Sequence, residues 1–228
     1  MVAGVQGPAL VLLGRQGSGK GTQGKRLAAH LGILHLSTGA VLREAVAADT
    51  TLGRSVSTYL ERGELVPDDL MLEVLRAQVL DPEVQRRGFL LDGFPRTVRQ
   101  AGDLVRLMAE RGLDAALHLD VPVEVVRERL ATRLVCTRCE TPTSAPIGID
   151  HVPCPACGAP ARRRADDTPE AIDRRLQAHE AESLPLLAFF AERRLLVTVD
   201  AVGDPDDVSE RVLKALRPIL WGTGQAVG

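Results

Sequence analysis

Apolar positions along the chain alternate between two patterns. Short, nearly unbroken apolar runs recur at 9–13, 33–36, 88–92, 115–120 and 195–200. A strand buried on both faces reads this way, because neither side of it meets water. Between the runs, apolar residues recur at helical spacing over 23–31, 41–48, 53–63, 70–80, 97–111, 123–134, 168–194 and 205–216. Capping chemistry marks several boundaries. Ser37 or Thr38 can cap the second helix, Gly63 closes the third, and Pro67-Asp68-Asp69 opens the fourth. Thr168-Pro169-Glu170 opens the longest helix, which Pro185 should kink or divide. The tail from Pro218 reads as loosely held, with Trp221 available to dock.

Strands alternating with helices predict an α/β fold: a five-stranded parallel sheet with right-handed crossovers, helices on both faces, and ligands at the carboxyl edge. Two stretches interrupt the alternation. Residues 38–67 read as a small helical insertion, and 135–167 are rich in Pro, Cys, Gly and Thr without apolar periodicity.

At 228 residues the chain is long enough for one α/β domain with insertions. Its net charge of −2 provides no bulk basic field for nucleic acid or an anionic membrane. The first residues lack the basic and apolar regions of a signal peptide, and no apolar run approaches the roughly 20 residues of a membrane span. A soluble, cytoplasmic protein is expected.

The densest chemistry comes directly after the first strand. Gly14-Arg15-Gln16-Gly17-Ser18-Gly19-Lys20-Gly21-Thr22 reads G-x-x-x-x-G-K-x-T, between an apolar run and a helix. Glycines let successive amides point into one concavity, and the helix start favours an anion there. Lys20 would reach β- and γ-phosphates, and Thr22 would hold Mg²⁺ directly or through water. The plainer alternative is a Gly/Ser turn in an ordinary βα unit. Lysine is scarce in this arginine-rich chain, yet one stands where phosphate chemistry needs it. Asp92, ending the third run, is placed to organise Mg²⁺ or to cap the next helix. His118 lies inside an apolar strand and reads as structural.

Arg43, Arg96, Arg129, Arg133, Arg164 and Arg175 all fall near the ends of elements at the predicted cleft. Arg129 and Arg133, four apart, would share a helix face. Guanidinium forks suit phosphate oxygens, although any one arginine taken singly reads as surface. Cys136-x-x-Cys139 and Cys154-x-x-Cys157, fourteen residues apart, fit a tetrahedral Cys₄ zinc site in which no position stays open for catalysis. Two disulfides are the alternative. The segment has no basic-plus-aromatic surface for nucleic acid.

Together these motifs resemble the adenylate kinases of the bacterial long-lid, zinc-containing type, within the nucleoside monophosphate kinase family. The resemblance runs from residue 9 to about 214. It rests on Gly14–Thr22, Leu36-Ser37-Thr38-Gly39, Leu91-Asp92-Gly93-Phe94-Pro95-Arg96-Thr97, Arg129-x-x-x-Arg133, Arg164-x-Asp166-Asp167 and the cysteines. It implies a P-loop kinase core (1–37, 68–134 and 168–228), an NMP-binding insertion (38–67) and a zinc-knuckle lid (135–167). The implied reaction moves the terminal phosphoryl group of Mg-ATP to AMP, giving two ADP, in a monomer without nucleic-acid or membrane partners. Gly17, Ser18, Gly19, Lys20, Gly21 and Thr22 would cradle ATP. Thr38, Arg43, Glu64, Leu65, Val66, Gly93, Phe94, Pro95, Arg96 and Gln100 would form the AMP site. Arg129 would stack on the ATP base and Gly203 touch its adenine. Arg133, Arg164 and Arg175 would clamp the moving group.

The sequence departs from the family at Gln16, where proline is usual, at Ala40, where an acid is usual, and in a shorter stretch between knuckles. Pro142-Thr143 also lacks the aromatic residue expected near the ATP ribose or base. A UMP or CMP kinase, and a silent P-loop protein with a zinc ribbon, are the competing readings.

Overall fold

Five of the apolar runs lie side by side. The computed structural model describes residues 6–62, 64, 66–164 and 168–222. In it β1 (Ala9–Leu13), β2 (Leu34–Ser37), β3 (Phe89–Asp92), β4 (Ala115–Asp120) and β9 (Leu196–Asp200) form one parallel sheet. The order is β2-β3-β1-β4-β9. β1 lies at its centre, with every residue buried, which is why its run carries no polar break. The register aligns Leu12 and Ser37 with Asp92, and Leu13 with His118. The segments after β1, β2 and β3 therefore leave the sheet at one level, on the carboxyl edge.

Alternate residues of each strand feed two cores. Leu10, Leu12, Leu90, Leu117 and Leu119 pack against Leu27 and Ala28 of α1 (Lys20–Leu31). Val126 and Leu130 of α7 (Val123–Thr132) and Val208 and Val212 of α9 (Pro205–Trp221) complete that layer. On the other face, Val11, Leu13, Leu91 and Ala116 meet Leu75 of α4 (Asp68–Val79) and Leu104 of α6 (Val98–Leu107). Leu186 and Phe190 of α8 (Pro169–Glu192) belong to this second core.

The insertion holds α2 (Thr38–Ala47) and α3 (Thr51–Arg62). Ser37 is the cap of α2, accepting from the Ala40 amide at 3.4 Å. Thr38 instead donates its hydroxyl to the Asp92 carbonyl. Gly63, expected to close α3, lies outside the described residues, as does Leu65.

Several boundaries differ from expectation. A short helix, α5 (Pro82–Arg87), precedes β3; Asp81 caps it by accepting from Glu83 and Val84 amides, with proline in the first turn. The helix after β3 ends at Leu107, four residues early, in turns over 108–111. Arg133 does not share a helix face with Arg129. α7 stops at Thr132, and Arg133 adopts extended backbone (φ −70°, ψ 130°) at the start of β5 (Arg133–Cys136). Pairing pulls it out of the helix, because β5 lies between β6 (Pro142–Ser144) and β8 (Pro160–Arg162). With β7 (His151–Pro153) these strands make an antiparallel sheet in the order β6-β5-β8-β7. Its core is small: Leu134, Cys136, Ala145, Cys154, Ala159 and Ala161.

Pro185 does not divide α8, which runs as one helix of 24 residues. Nor does α9 stop before Pro218. It continues to Trp221, because Leu216 is fully buried and Leu220 packs on the same core one turn later. Trp221 itself stays 36% exposed rather than docked.

Phe190 is fully buried and packs edge-on against Phe189, anchoring the carboxyl half of α8 to the sheet. Phe190→Ala is expected to cost about 3–5 kcal/mol of unfolding free energy, read from denaturant titration.

Candidate active site

β1 ends at Leu13, and the chain turns through Gly14–Gly19 before α1 begins. Gly17 (φ +83°) tolerates no side chain, since a Cβ there would lie 2.9 Å from the Leu130 Cγ of α7. Gly19 caps α1 in the left-handed region without any side-chain hydrogen bond, so no capping side chain competes with an anion for the amides at the helix start. Ser18 is buried, and its Oγ has no partner among the described residues. Lys20 folds over the loop, donating to the Gly14 and Arg15 carbonyls at 2.6 and 2.7 Å.

Asp92 faces this loop from the end of β3, 8% exposed. Burial opposes its charge. The contact with His35 Nε2, at 3.5 Å from Oδ2, then Lys20 and Arg96, outweigh burial and hold the carboxyl below its ordinary range. Asp92 is therefore a buried carboxylate, not a cap. Gly93 (φ +92°) comes next, with Thr38 Oγ1 only 2.6 Å from where a Cβ would stand, and the Phe94–Pro95 bond is cis. Thr97 caps α6.

Arg96 donates through Nε to the Gly93 carbonyl, and its own amide donates to Gln100 Oε1 at 2.7 Å. Gln100 Nε2 donates in turn to Asp68 Oδ1 at 2.7 Å, which fixes the amide's orientation. The Arg96 side chain opens to solvent through the cleft while protein surrounds its other sides. That enclosure, followed by Arg175, lowers its pKa, with Arg43 adding to the effect and Asp92 opposing it. Guanidinium groups do not neutralise. The crowding is thus a standing repulsion that an anion would relieve.

These pieces surround one cavity of about 1000 Å³. Every described residue expected at the site lines it. On the ATP side these are Gly17, Ser18, Gly19, Lys20, Gly21, Thr22, Arg129 and Gly203. On the AMP side they are Thr38, Arg43, Glu64, Val66, Gly93, Phe94, Pro95, Arg96 and Gln100. Asp92, Arg133, Arg164 and Arg175 line it as well. Leu65, Asp166 and Asp167 lie outside the described residues. Arg129 donates to the Ala201 carbonyl at 3.3 Å, and Arg175 reaches from α8 to the Leu60 carbonyl of α3 at 3.2 Å. Gln16 and Thr143 also lie on the wall.

Four contributors to the site belong to no motif that assigned them there. His35 contacts Asp92, Asp68 orients Gln100, and His118 and His179 stand on the cavity wall. The strand period could have placed His118, two residues beyond the buried Ala116. His179 is seven residues before Leu186, on the same face of α8. Nothing in the sequence brings the two histidines together.

The four cysteine Sγ atoms lie within 4.8 Å of one another, with the closest pairs at 3.5–3.6 Å. A disulfide needs about 2.05 Å, whereas the edge of a Zn–S₄ tetrahedron is about 3.8 Å. The disulfide alternative fails, and the geometry is compatible with a structural zinc. Amides of Cys139 and Arg138 donate to Cys136 Sγ at 3.4 Å and favour its thiolate over the opposing effect of burial.

A family model described as "Adenylate kinase" matches residues 12–195. The chain belongs to the adenylate kinase family. It is similar, at 41% identity over 91% of its length and 97% of the relative's, to an adenylate kinase of Acidothermus cellulolyticus. One from Moorella thermoacetica is 40% identical over 96% of this chain and 97% of its own. Another, from Caldicellulosiruptor saccharolyticus, is 37% identical over 91% and 98%. Members of the adenylate kinase family are phosphotransferases that convert ATP and AMP to two ADP, with Mg²⁺ accompanying ATP. No helix among the described residues is long and apolar enough to cross a membrane.

Burial lowers the Lys20 pKa to about 8 against the pull of Asp92. A bound polyphosphate favours the ammonium, so binding takes up a proton wherever empty-site Lys20 is neutral. Nucleotide affinity, titrated calorimetrically, should fall as pH rises above about 8. Lys20→Arg, which stays charged, should flatten that slope.

Proposed function

We propose that this cavity performs the adenylate kinase reaction with ATP on the loop at 14–22 and AMP against α2 and the segment after β3. One observation carries the reading: residues from eight separated segments, expected from the motifs and the family resemblance they carry, line a single cavity. In this reading, amides at Gly17–Thr22 and the Lys20 ammonium hold the ATP phosphates. Arg43 and Arg96 grip the AMP phosphate, while Thr38, Glu64, Leu65, Val66, Gly93, Phe94 and Pro95 shape its site. Gln100, oriented by Asp68, reads the adenine edge, which favours AMP over pyrimidine monophosphates. Arg129 stacks on the ATP base, with Gly203 beside the adenine. Arg133, Arg164 and Arg175 converge on the transferred group.

Mg²⁺ suits the hard oxygens of Asp92 and Thr22, and when bound with ATP it neutralises developing phosphate charge. The protein's remaining task is alignment. Holding the two phosphates end to end can supply on the order of 7–11 kcal/mol of barrier lowering. No general base is required, because the AMP phosphate is already ionised.

The chain divides accordingly into a core of 1–37, 68–134 and 168–228, an AMP-binding insertion at 38–67 and a lid at 135–167. Arg175 donating to Leu60, and Lys25 donating to the Cys139 carbonyl at 3.3 Å, are polar links between these parts and the core. Both covers keep water from a phosphoryl group that would otherwise hydrolyse. Zinc on Cys136, Cys139, Cys154 and Cys157 stabilises the lid, whose own apolar core is too small to do so. The enzyme is read as a cytoplasmic monomer without nucleic-acid partners.

Lys20→Ala and Arg96→Ala should each lower kcat at least ~100-fold in a coupled ADP-formation assay. Near-normal turnover in both would reject the assignment, and preference for UMP or CMP would reject the substrate. Metal analysis of freshly purified protein should give about one zinc per chain, and its removal by a chelator should expose 133–162 to protease.

A further inference from the structure

We propose that Asp68 decides which purine the monophosphate site accepts, by locking the Gln100 amide in the orientation that pairs with a 6-aminopurine and turns away a 6-oxopurine. In the active-site reading above, on which this rests, Gln100 meets the base of the acceptor nucleotide. Asp68 opens α4 directly after Pro67. An acid in a first helical turn ordinarily serves the helix dipole, and Asp69 suits that role with its side chain 91% exposed. Asp68 is turned the other way. Its side chain is 24% exposed and reaches α6, where Oδ1 accepts from Gln100 Nε2 at 2.7 Å. Its Oδ2 lies 3.7 Å from Arg99 Nε, so the carboxylate is held from both sides. Gln100 is equally constrained. Its backbone amide donates to the Thr97 cap, and its Oε1 accepts from the Arg96 amide at 2.7 Å.

The polarity of these two bonds cannot be exchanged. A carboxylate accepts, and a peptide N–H donates. A flipped Gln100 would set its oxygen against Asp68 and its N–H against the Arg96 amide, leaving both partners unsatisfied. A side-chain amide has two N–H donors and two acceptor positions. One of each is taken, and the second of each has no partner among the described residues. Gln100 stands on the cavity wall, whereas Asp68 stands behind it, off that wall. The site therefore offers the base one donor and one acceptor in a fixed order. Adenine is the complement, with N1 accepting beside an amino group that donates. Hypoxanthine and guanine reverse both, with N1–H donating beside an oxygen that accepts. A base tethered to a phosphate at Arg43 and Arg96 presents positions 1 and 6 in one order, so it does not turn over to recover the match. A 6-oxopurine thus meets donor with donor and acceptor with acceptor. Asp68 touches no substrate; it is a positioning residue that acts through Gln100.

The test compares kcat/KM for AMP and IMP at saturating ATP. IMP differs from AMP only at positions 1 and 6, and it lacks the 2-amino group that complicates GMP. Wild-type protein should favour AMP by at least ~1000-fold, as a site of paired hydrogen bonds does against a mismatched analogue. In Asp68→Ala, water takes the place of the carboxylate and can donate as well as accept. The AMP-to-IMP ratio should then fall at least ~10-fold, by gain with IMP as well as loss with AMP, with KM for ATP unchanged. Asp68→Leu, which fills the space, should behave alike and serves where the alanine variant folds poorly. Asp68→Asn, whose carbonyl still accepts from Nε2, should keep the wild-type ratio. Gln100→Ala should itself collapse the ratio, and adding Asp68→Ala to it should change nothing further. A ratio that survives both Asp68→Ala and Asp68→Leu overturns the lock alone. So does an Asp68→Ala effect of equal size in the Gln100→Ala background, which would mark a merely structural role. A ratio that survives Gln100→Ala overturns the reading of Gln100 as well.

Discussion

Positive charge held close together by a buried scaffold is the constraint on which the structure depends. Lys20, Arg43, Arg96, Arg133, Arg164 and Arg175 all line one cavity, and among the described residues Asp92 is the one buried acid that opposes them there. Burial first, and then the neighbouring guanidinium groups, lower the Lys20 and Arg96 pKa values, so this arrangement is unfavourable without a ligand. The folding free energy of two large apolar cores sustains it. A ligand with several phosphate charges converts the repulsion into attraction, and little of that attraction is lost to reorganisation because the cations are already in place.

The sheet does the positioning. Parallel strands in register put the ends of β1, β2 and β3 at one edge, so the loop at 14–22, the cap at Ser37 and the Asp92–Arg96 segment meet without a long connection. Hydrogen bonds then remove the remaining freedom: Thr38 to the Asp92 carbonyl, Arg96 to Gly93, and Arg96 through Gln100 to Asp68. The small antiparallel sheet obeys another physical rule. Leu134 is the one large aliphatic side chain in its buried core, beside three alanines and two cysteines. Its four thiols lie within 4.8 Å of one another, a grouping compatible with a metal whose binding would supply cohesion that apolar burial cannot provide in so few residues.

The sequence was informative where burial is simple and uninformative where tertiary pairing decides. β1 and β4 were legible to the residue, because central parallel strands meet apolar neighbours on both faces. The end of α7 was not. Ala131-Thr132-Arg133-Leu134 carries no glycine or proline, and only pairing with distant Ser144 and Arg162 makes 133–136 a strand. Pro218 reads as a stop until Leu220 is seen packed beyond it. α5 had a readable signature, Asp81-Pro82-Glu83, hidden by the stronger helix before it. The site's principal cations were found through motifs, since phosphate chemistry imposes residue types at fixed spacing. Asp68, His118 and His179 carry no such spacing; their place comes from packing between elements far apart in the chain.

That difference also separates two ways of building an anion site. Arginine charge is permanent, so each guanidinium added to the cleft raises the repulsion in the empty protein as much as it raises attraction in the loaded one. Lysine, held at a pKa of about 8, stays mostly charged at neutral pH and shares most of that cost. Histidine does not, because its neutral form is accessible at physiological pH. With so many fixed cations around the phosphate loop, the imidazole of His179, held neutral by burial and by those cations, adds no further repulsion to the cleft.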